Sequence, residues 1–258
     1  MTPATAISTL RSKRPLVHCI TNYVAMNIAA NTLLAAGASP AMVHAEEEAA
    51  AFTAMCGGLT INIGTLSTPW ARGMRAAAES ANANSIPWVL DPVAHFISPY
   101  RGEVAQTLLA LKPSIVRGNA SEIIALSGQS SSGQGVDSGD SVMAAQQAAL
   151  ELARQVGAVI AITGEVDFVT DGTRSMRVTG GSGLMPQVTA MGCSLTALMG
   201  AYVAVSDPLD AAVASLAHFG AAGRVAHSDA GGPGSFQVAF LDALANVDCE
   251  ELNTLVLS

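Results

Sequence analysis

The segment VRGNASEI (Val116 to Ile123) combines residue types that suit chemistry at a phosphate. Arg117 ends an apolar run beside Gly118-Asn119, and Glu122 follows Asn119 by three residues. Two readings are open and compatible. In one, Asn119 caps a helix and Glu122 completes a capping box. In the other, the guanidinium fork of Arg117 meets phosphate oxygens and Glu122 organises a hydrated Mg²⁺. LDPVA sets Asp91 at a strand end before a proline, either as a helix cap or as a second carboxylate near the same metal. AITGE brings Thr163 and Gly164 to another strand end, where a hydroxyl and bare backbone can approach phosphate, or where an ordinary turn is made. In TAMGCSLTALMGA, Cys193 stands at the mouth of a long apolar helix. A helix N-terminus favours anions and thiolates, whereas the plainer alternative is a small residue packed under the helix.

Those segments must be held by elements that the pattern of the chain makes legible. PLVHCI is a short buried strand, followed by a helix that stops at Gly37, with Asn22 near its start as a cap. AMVHA reads as a second strand, with Met42 as a core filler, and Glu46, Glu47 and Glu48 open the next helix in agreement with its dipole. GLTINIG is a third strand, Pro69 to about Asn84 a helix, and PWVLDPVA a fourth strand. A fifth strand ends at Arg117, and a helix starts beyond Gly118-Asn119. Ser127 to Ser141 is a low-complexity patch, read as a flexible loop too short to mark a domain boundary. A helix from about Val142 to Val156, the strand AVIAITG and a hairpin turning at Asp171-Gly172 come next, and the chain from Cys193 onward is mostly helical. Repeated strand-then-helix units imply a parallel sheet covered on both faces, with ligands beyond the carboxyl ends of the strands. That rule collects Asn22, Met42, Asp91, Arg117, Thr163 and the Gly192-Cys193 turn as candidates. His18 and His44 lie in apolar strands and read as core or pocket-wall groups.

Composition narrows the classes. The chain has 258 residues, 50% hydrophobic, 12% charged and only 4% aromatic, so its core is aliphatic, as suits helices on a parallel sheet. A net charge of −8, two lysines and the absence of a basic run argue against nucleic acid or an anionic membrane as a partner. The four cysteines, Cys19, Cys56, Cys193 and Cys249, form no C-x-x-C pair, and no secretory signal is present, which predicts reduced thiols in the cytoplasm. The apolar helix after Cys193 falls short of the about 20 residues a bilayer requires. No P-loop, dinucleotide fingerprint, H-E-x-x-H or G-x-S-x-G occurs. Low charge on so apolar a chain suggests surface buried in an oligomer.

Taken in order, PLVHCITNYVAMNIAANTLLAAGASPAMVHAEEE, LDPVA, RGNASEI, TGEVDFVTDG and GCSLTALMGA resemble the hydroxyethylthiazole kinases, and the likeness spans nearly the whole chain. The resemblance implies a single ribokinase-like domain over residues 1–258, an α/β three-layer fold with a mostly parallel central sheet and helices on both faces. It implies phosphorylation of the hydroxyl of a hydroxyethyl-methylthiazole alcohol by ATP and Mg²⁺ in thiamin salvage, by a homotrimer whose substrate pockets lie between subunits. By the same resemblance Arg117, Asn119, Thr163 and Gly164 would contact ATP, and Asp91 and Glu122 would hold Mg²⁺ and phosphates. Asn22, Met42, Ala190 and Gly192 would touch the thiazole, and Cys193 would stand where related kinases have an aspartate base. Its helix mouth then resembles an anion hole for the transferring phosphoryl group. The alternatives are a related kinase of another small alcohol, of pyrimidine or pyridoxal type, and a non-catalytic thiazole- or nucleotide-binding protein. One departure stands out. The family usually reads Gly-Thr-Gly-Cys at this loop, whereas here it is Ala190-Met191-Gly192-Cys193, losing one glycine's freedom and one hydroxyl.

Overall fold

The computed structural model describes residues 1–128 and 139–257. The apolar runs become β1 (Leu16–Ile20), β2 (Ser39–Ala41), β3 (Gly58–Asn62), β4 (Trp88–Asp91), β5 (Ile115–Asn119) and β6 (Val159–Thr163). These six pair in parallel in the order β2-β1-β3-β4-β5-β6. The hairpin turning at Asp171-Gly172 supplies β7 (Asp167–Thr170), antiparallel to β6, and β8 (Ser175–Val178), antiparallel to β7. A two-residue β9 (Val256–Leu257) closes that edge. The loop read over residues 127–141 falls mostly on 129–138, outside the described residues.

Strand parity sorts the core into two layers. Trp88, Leu90, Val116, Ile160 and Ile162 face one layer, while Val89, Ile115, Val159 and Ala161 face the other. This is the period of two expected of strands buried on both faces. The first layer is covered by α3 (Glu46–Thr53), α4 (Thr68–Ala83), α5 (Pro99–Ala110), α6 (Ala120–Leu126) and α7 (Gly139–Val156). The second lies under α1 (Pro3–Lys13), α2 (Met26–Ala36), α8 (Met191–Val203), α9 (Pro208–Asp229) and α10 (Pro233–Asn246). A short α11 (Cys249–Asn253) packs on α1 and α9.

Three local expectations are corrected. The polar start holds α1, capped by the Thr2 hydroxyl with Pro3 in its first turn, and it buries Ala6, Ile7 and Leu10. The second strand is Ser39–Ala41 rather than AMVHA, because the Val43 carbonyl is taken by His18 Nε2 at 2.7 Å instead of by a neighbouring strand. Helix α2 starts at Met26, with Ala25 and not Asn22 at its cap position. The Asn22 Oδ1 accepts from the Ala25 N–H at 3.0 Å, forming a turn ahead of the helix. Gly37 ends α2 as expected, at φ 101°.

Helix α8 explains its own composition. It is apolar all round because it lies against the sheet with α2 and α9 on its flanks, so nearly every side chain from Ser194 to Val203 is buried. Gly200 lets it settle onto β3 and β1: a Cβ there would lie 2.2 Å from Thr60 Cγ2 and 3.0 Å from Val17 Cγ1. At its other end, Ala190 occupies the cap position at φ 61°, ψ 17°, and no side chain caps the first turn. This left-handed conformation is one that glycine adopts readily and alanine does not.

Two stability measurements check this account. Gly200→Ala overpacks the α8–β3 contact and should destabilise by about 1–3 kcal/mol in urea unfolding, with partial recovery when Thr60→Ser removes the obstructing methyl. Ala190→Gly should stabilise by about 0.5–1 kcal/mol, since relief of the left-handed alanine outweighs the added entropy of the unfolded chain.

Candidate active site

The same parity that divides the core assembles the site. Asn62, Asp91, Arg117 and Thr163 lie at or near the carboxyl ends of β3, β4, β5 and β6, on the side covered by α8. Asn62 and Asp91 are register partners, as are Asn119 and Thr163. Four residues scattered over about a hundred positions thus converge on the N-terminus of one helix.

Asp91 is fully buried. Its Oδ2 accepts from Asn62 Nδ2 at 2.7 Å and from Thr196 Oγ1 on α8 at 2.7 Å, and Arg117 Nη1 lies 3.6 Å away. Its Oδ1 has no hydrogen-bond partner. Burial raises the Asp91 carboxyl to about 6 even though Arg117 pulls it down, and neighbouring Glu122 adds to the rise. Arg117 donates from Nη2 to Thr163 Oγ1 at 2.6 Å, while its buried Nε is unpartnered. The guanidinium points its fork at Gly192: a Cβ there would be 2.7 Å from both terminal nitrogens and 3.1 Å from Cζ. Any other residue at 192 would push the arginine off the helix mouth.

Cys193 is the third residue of α8, half-buried, with its Sγ accepting from Asn22 Nδ2 at 3.3 Å. The surroundings of Cys193 act against the thiolate that a helix end by itself favours. Burial and the Asp91 charge push the thiol up, and they outweigh the hydrogen bonds and Arg117, which act the other way. The group is a thiol at neutral pH.

The capping reading of RGNASEI is the one the geometry shows. Asn119 Oδ1 accepts from Glu122 N at 2.9 Å and Glu122 Oε2 accepts from Asn119 N at 2.8 Å, a complete capping box at the start of α6. Glu122 Oε1 takes the Ala94 N–H at 2.9 Å, so this carboxylate is fixed at both oxygens beside Asp91. For a metal, the donor set is therefore two carboxylates, with Asp91 Oδ1 the unpartnered oxygen. Among the described residues no group of three or more His, Cys, Asp or Glu could hold an ion. Two carboxylates suit Mg²⁺, which keeps waters and takes phosphates as ligands, better than a metal that needs an all-protein cage.

Arg117, Asn119, Thr163 and Gly164 line one cavity of about 810 Å³, together with Met191 and Gly192. Its far wall is apolar, from Met185, Leu195, Leu216 and Phe219. Asp167, at the start of β7, also lines it and is raised to about 6 by burial. Asn22, Gly192 and Cys193 gather at the helix mouth, with Ala190 at the cap. Met42 stands apart from the hydrogen-bonded network, half-buried in the loop after β2 against the α8-side core. Of the histidines, His18 is a core group, bonded to Thr53 and to the Val43 carbonyl. Sequence reasoning missed Asn62, Thr196 and Asp167. A signal existed for Asn62, an amide ending an otherwise apolar strand, and for Thr196, a hydroxyl inside an apolar helix.

Comparison with known proteins agrees with this architecture. Residues 7–250 match the model of the hydroxyethylthiazole kinase family. The chain is 66% identical to a hydroxyethylthiazole kinase of Roseobacter denitrificans, covering 99% of this chain and all of that one. It is 60% identical to the enzyme of the same name from Rhizobium johnstonii, over 98% of this chain and 95% of the relative. The solved hydroxyethylthiazole kinase of Pyrococcus horikoshii superposes with a TM-score of 0.91 at 40% identity, over 99% of this chain and 97% of that one. A pyridoxal kinase of Bacillus subtilis, at 16% identity and a TM-score of 0.62 over 80% of this chain and 90% of its own, shares the ribokinase-like fold alone. With its sheet order, its strand-end cluster and these likenesses in agreement, the chain belongs to the hydroxyethylthiazole kinase family.

Proposed function

We propose that this kinase, a single ribokinase-like domain, transfers the γ-phosphoryl group of ATP to the hydroxyl of a hydroxyethyl-methylthiazole alcohol, a reading supported by relatives named hydroxyethylthiazole kinase. The observation that carries the reading is the meeting of Arg117 and Asp91 with Cys193 at the uncapped N-terminus of α8, at the end of the cavity lined by Asn119 and Thr163. A guanidinium against a helix N-terminus puts two positive sources together, and that arrangement favours an anion between them. In this reading Arg117 and Thr163 hold the phosphates, and Gly164 and Asn119 shape the nucleotide end of the cavity. Asp91 and Glu122 would hold a hydrated Mg²⁺, which neutralises charge on the phosphates when bound.

The acceptor lies beside Cys193, between Asn22 and the Ala190–Gly192 turn, with Met42 on the thiazole side. Because Cys193 stays protonated, it contributes contact and orientation and does not take the acceptor's proton. That suits phosphoryl transfer, in which positioning and charge stabilisation do most of the catalysis.

We further propose a homotrimer in the cytoplasm. The loops next to the site carry exposed apolar side chains: Tyr23 and Val24 directly after Asn22, and Phe96 and Ile97 on the loop after β4. Arg101 ties that loop to the one after β3, donating to the carbonyls of Ile63 and Val93 at 2.7 and 2.6 Å. A partner copy over this rigid apolar rim would wall the acceptor side of the site. The four cysteines are free thiols, and no described helix is long and apolar enough to cross a membrane.

A coupled ADP-release assay over thiazole, pyridoxal and pyrimidine alcohols tests the substrate. Turnover confined to another alcohol would replace the reading, and absence of turnover with all of them would favour a binding protein. In the same assay Arg117→Ala should lose about 10- to 100-fold in kcat/KM for ATP, since each charge-assisted bond is worth ~1.5–3 kcal/mol, while calorimetric affinity for the alcohol stays near wild type. Cys193→Ser should be slowed but active. Sedimentation equilibrium at micromolar protein should give a trimer; an active monomer would refute the shared pocket.

A further inference from the structure

Asn62 is 2% exposed and ends β3. The chemistry of its neighbours fixes its amide orientation. The Gly64 N–H can only donate, so Oδ1 must face it, at 2.9 Å, and Asn22 Nδ2 reaches the same oxygen at 2.8 Å. Nδ2 then faces Asp91 Oδ2, an acceptor, at 2.7 Å. Asn22 Nδ2 goes on to Cys193 Sγ at 3.3 Å. One amide therefore connects the thiol at the helix mouth, through Asn22, to the carboxylate beneath that mouth. With Asn62, Thr196 and Arg117 all on the Oδ2 side of Asp91, the rotation of the carboxylate is set and Oδ1 is the oxygen left without a partner.

We infer that Asn62 is a positioning residue for phosphoryl transfer, fixing the acceptor side of the site at Asn22 and Cys193 relative to the phosphate side at Asp91. This rests on the roles of Cys193 and Asp91 proposed above. In-line transfer requires acceptor oxygen and phosphorus to be held within a narrow range of distance and angle, and the two halves come from different strands and a separate helix. A purely structural Asn62 would serve only to satisfy buried groups, and its loss would alter stability without altering where the phosphoryl group goes.

The test is steady-state kinetics on the full-length Asn62→Ala and Asn62→Ser variants, with the ratio of ADP released to phosphorylated alcohol formed. Asn62→Ala should lose about 10²-fold in kcat, the scale on which a misplacement near one ångström acts, with the KM values for ATP and alcohol near wild type. The ADP-to-product ratio should rise above that of the wild type, because water competes once the acceptor is out of line. Asn62→Ser should fall between, since its hydroxyl can still take the Gly64 N–H, and it carries the test should the alanine variant not fold. A folded variant with wild-type kcat and ratio, or one whose whole loss lies in a single KM, overturns the inference. Arg117→Ala and Cys193→Ser run in parallel separate the two levels. Unchanged turnover in those two removes the site reading itself, whereas lowered turnover there with normal Asn62 variants removes only the role of Asn62.

Discussion

A carboxylate buried with one oxygen satisfied and the other free is the constraint around which this fold is arranged. Removing Asp91 from water is costly, and the cost shows in its raised proton affinity. The offsetting groups come from three directions: Arg117 from the neighbouring strand, Asn62 from the strand on the other side, and Thr196 from the helix above. Each must be in place for the charge to be tolerated. The helix can supply its hydroxyl only because Gly200, one turn further along, allows it to approach the sheet closely.

That helix position has electrostatic consequences. The N-terminus of α8 is left without a side-chain cap, and the guanidinium of Arg117 is laid against its Gly192. Positive potential from a cation and from a helix end are normally kept apart, and here they coincide over a buried carboxylate that lies 3.6 Å from the nearest guanidinium nitrogen. Neutral Cys193 at the same mouth adds no competing charge. The strained alanine at the helix cap shows how closely the backbone is held to this arrangement: the turn keeps its left-handed form without the glycine that would make it easy.

Much of this was legible from residue order. Buried strands, the stop at Gly37 and the hairpin at Asp171-Gly172 follow from local preference, because short-range sterics and turn chemistry act within a few residues. The capping box of Asn119 and Glu122 is local in the same sense. Less legible were α1, whose apolar face is diluted by Thr, Ser and basic residues, and the edge strand β2, which His18 cuts short through a contact from β1. For Asn62 the sequence carried a signal, an amide at a strand end, but not its partner: that Asp91 lies beside it is set by the register of β3 on β4.

The sequence by itself determined the strand-helix alternation, the aliphatic two-sided sheet, and the residues that resemble a thiazole kinase. Only the tertiary structure decided which of them touch. Strand parity turned Asn62, Asp91, Arg117 and Thr163 to the same side, register put Asn62 beside Asp91, and the packing of α8 brought Thr196, Gly192 and Cys193 over them. Protonation followed from the same packing. A cysteine at a helix mouth has two readings in one dimension, thiolate or packed thiol, and burial with a neighbouring carboxylate favours the thiol. Local preferences act through the chain, whereas charge, desolvation and contact act through space.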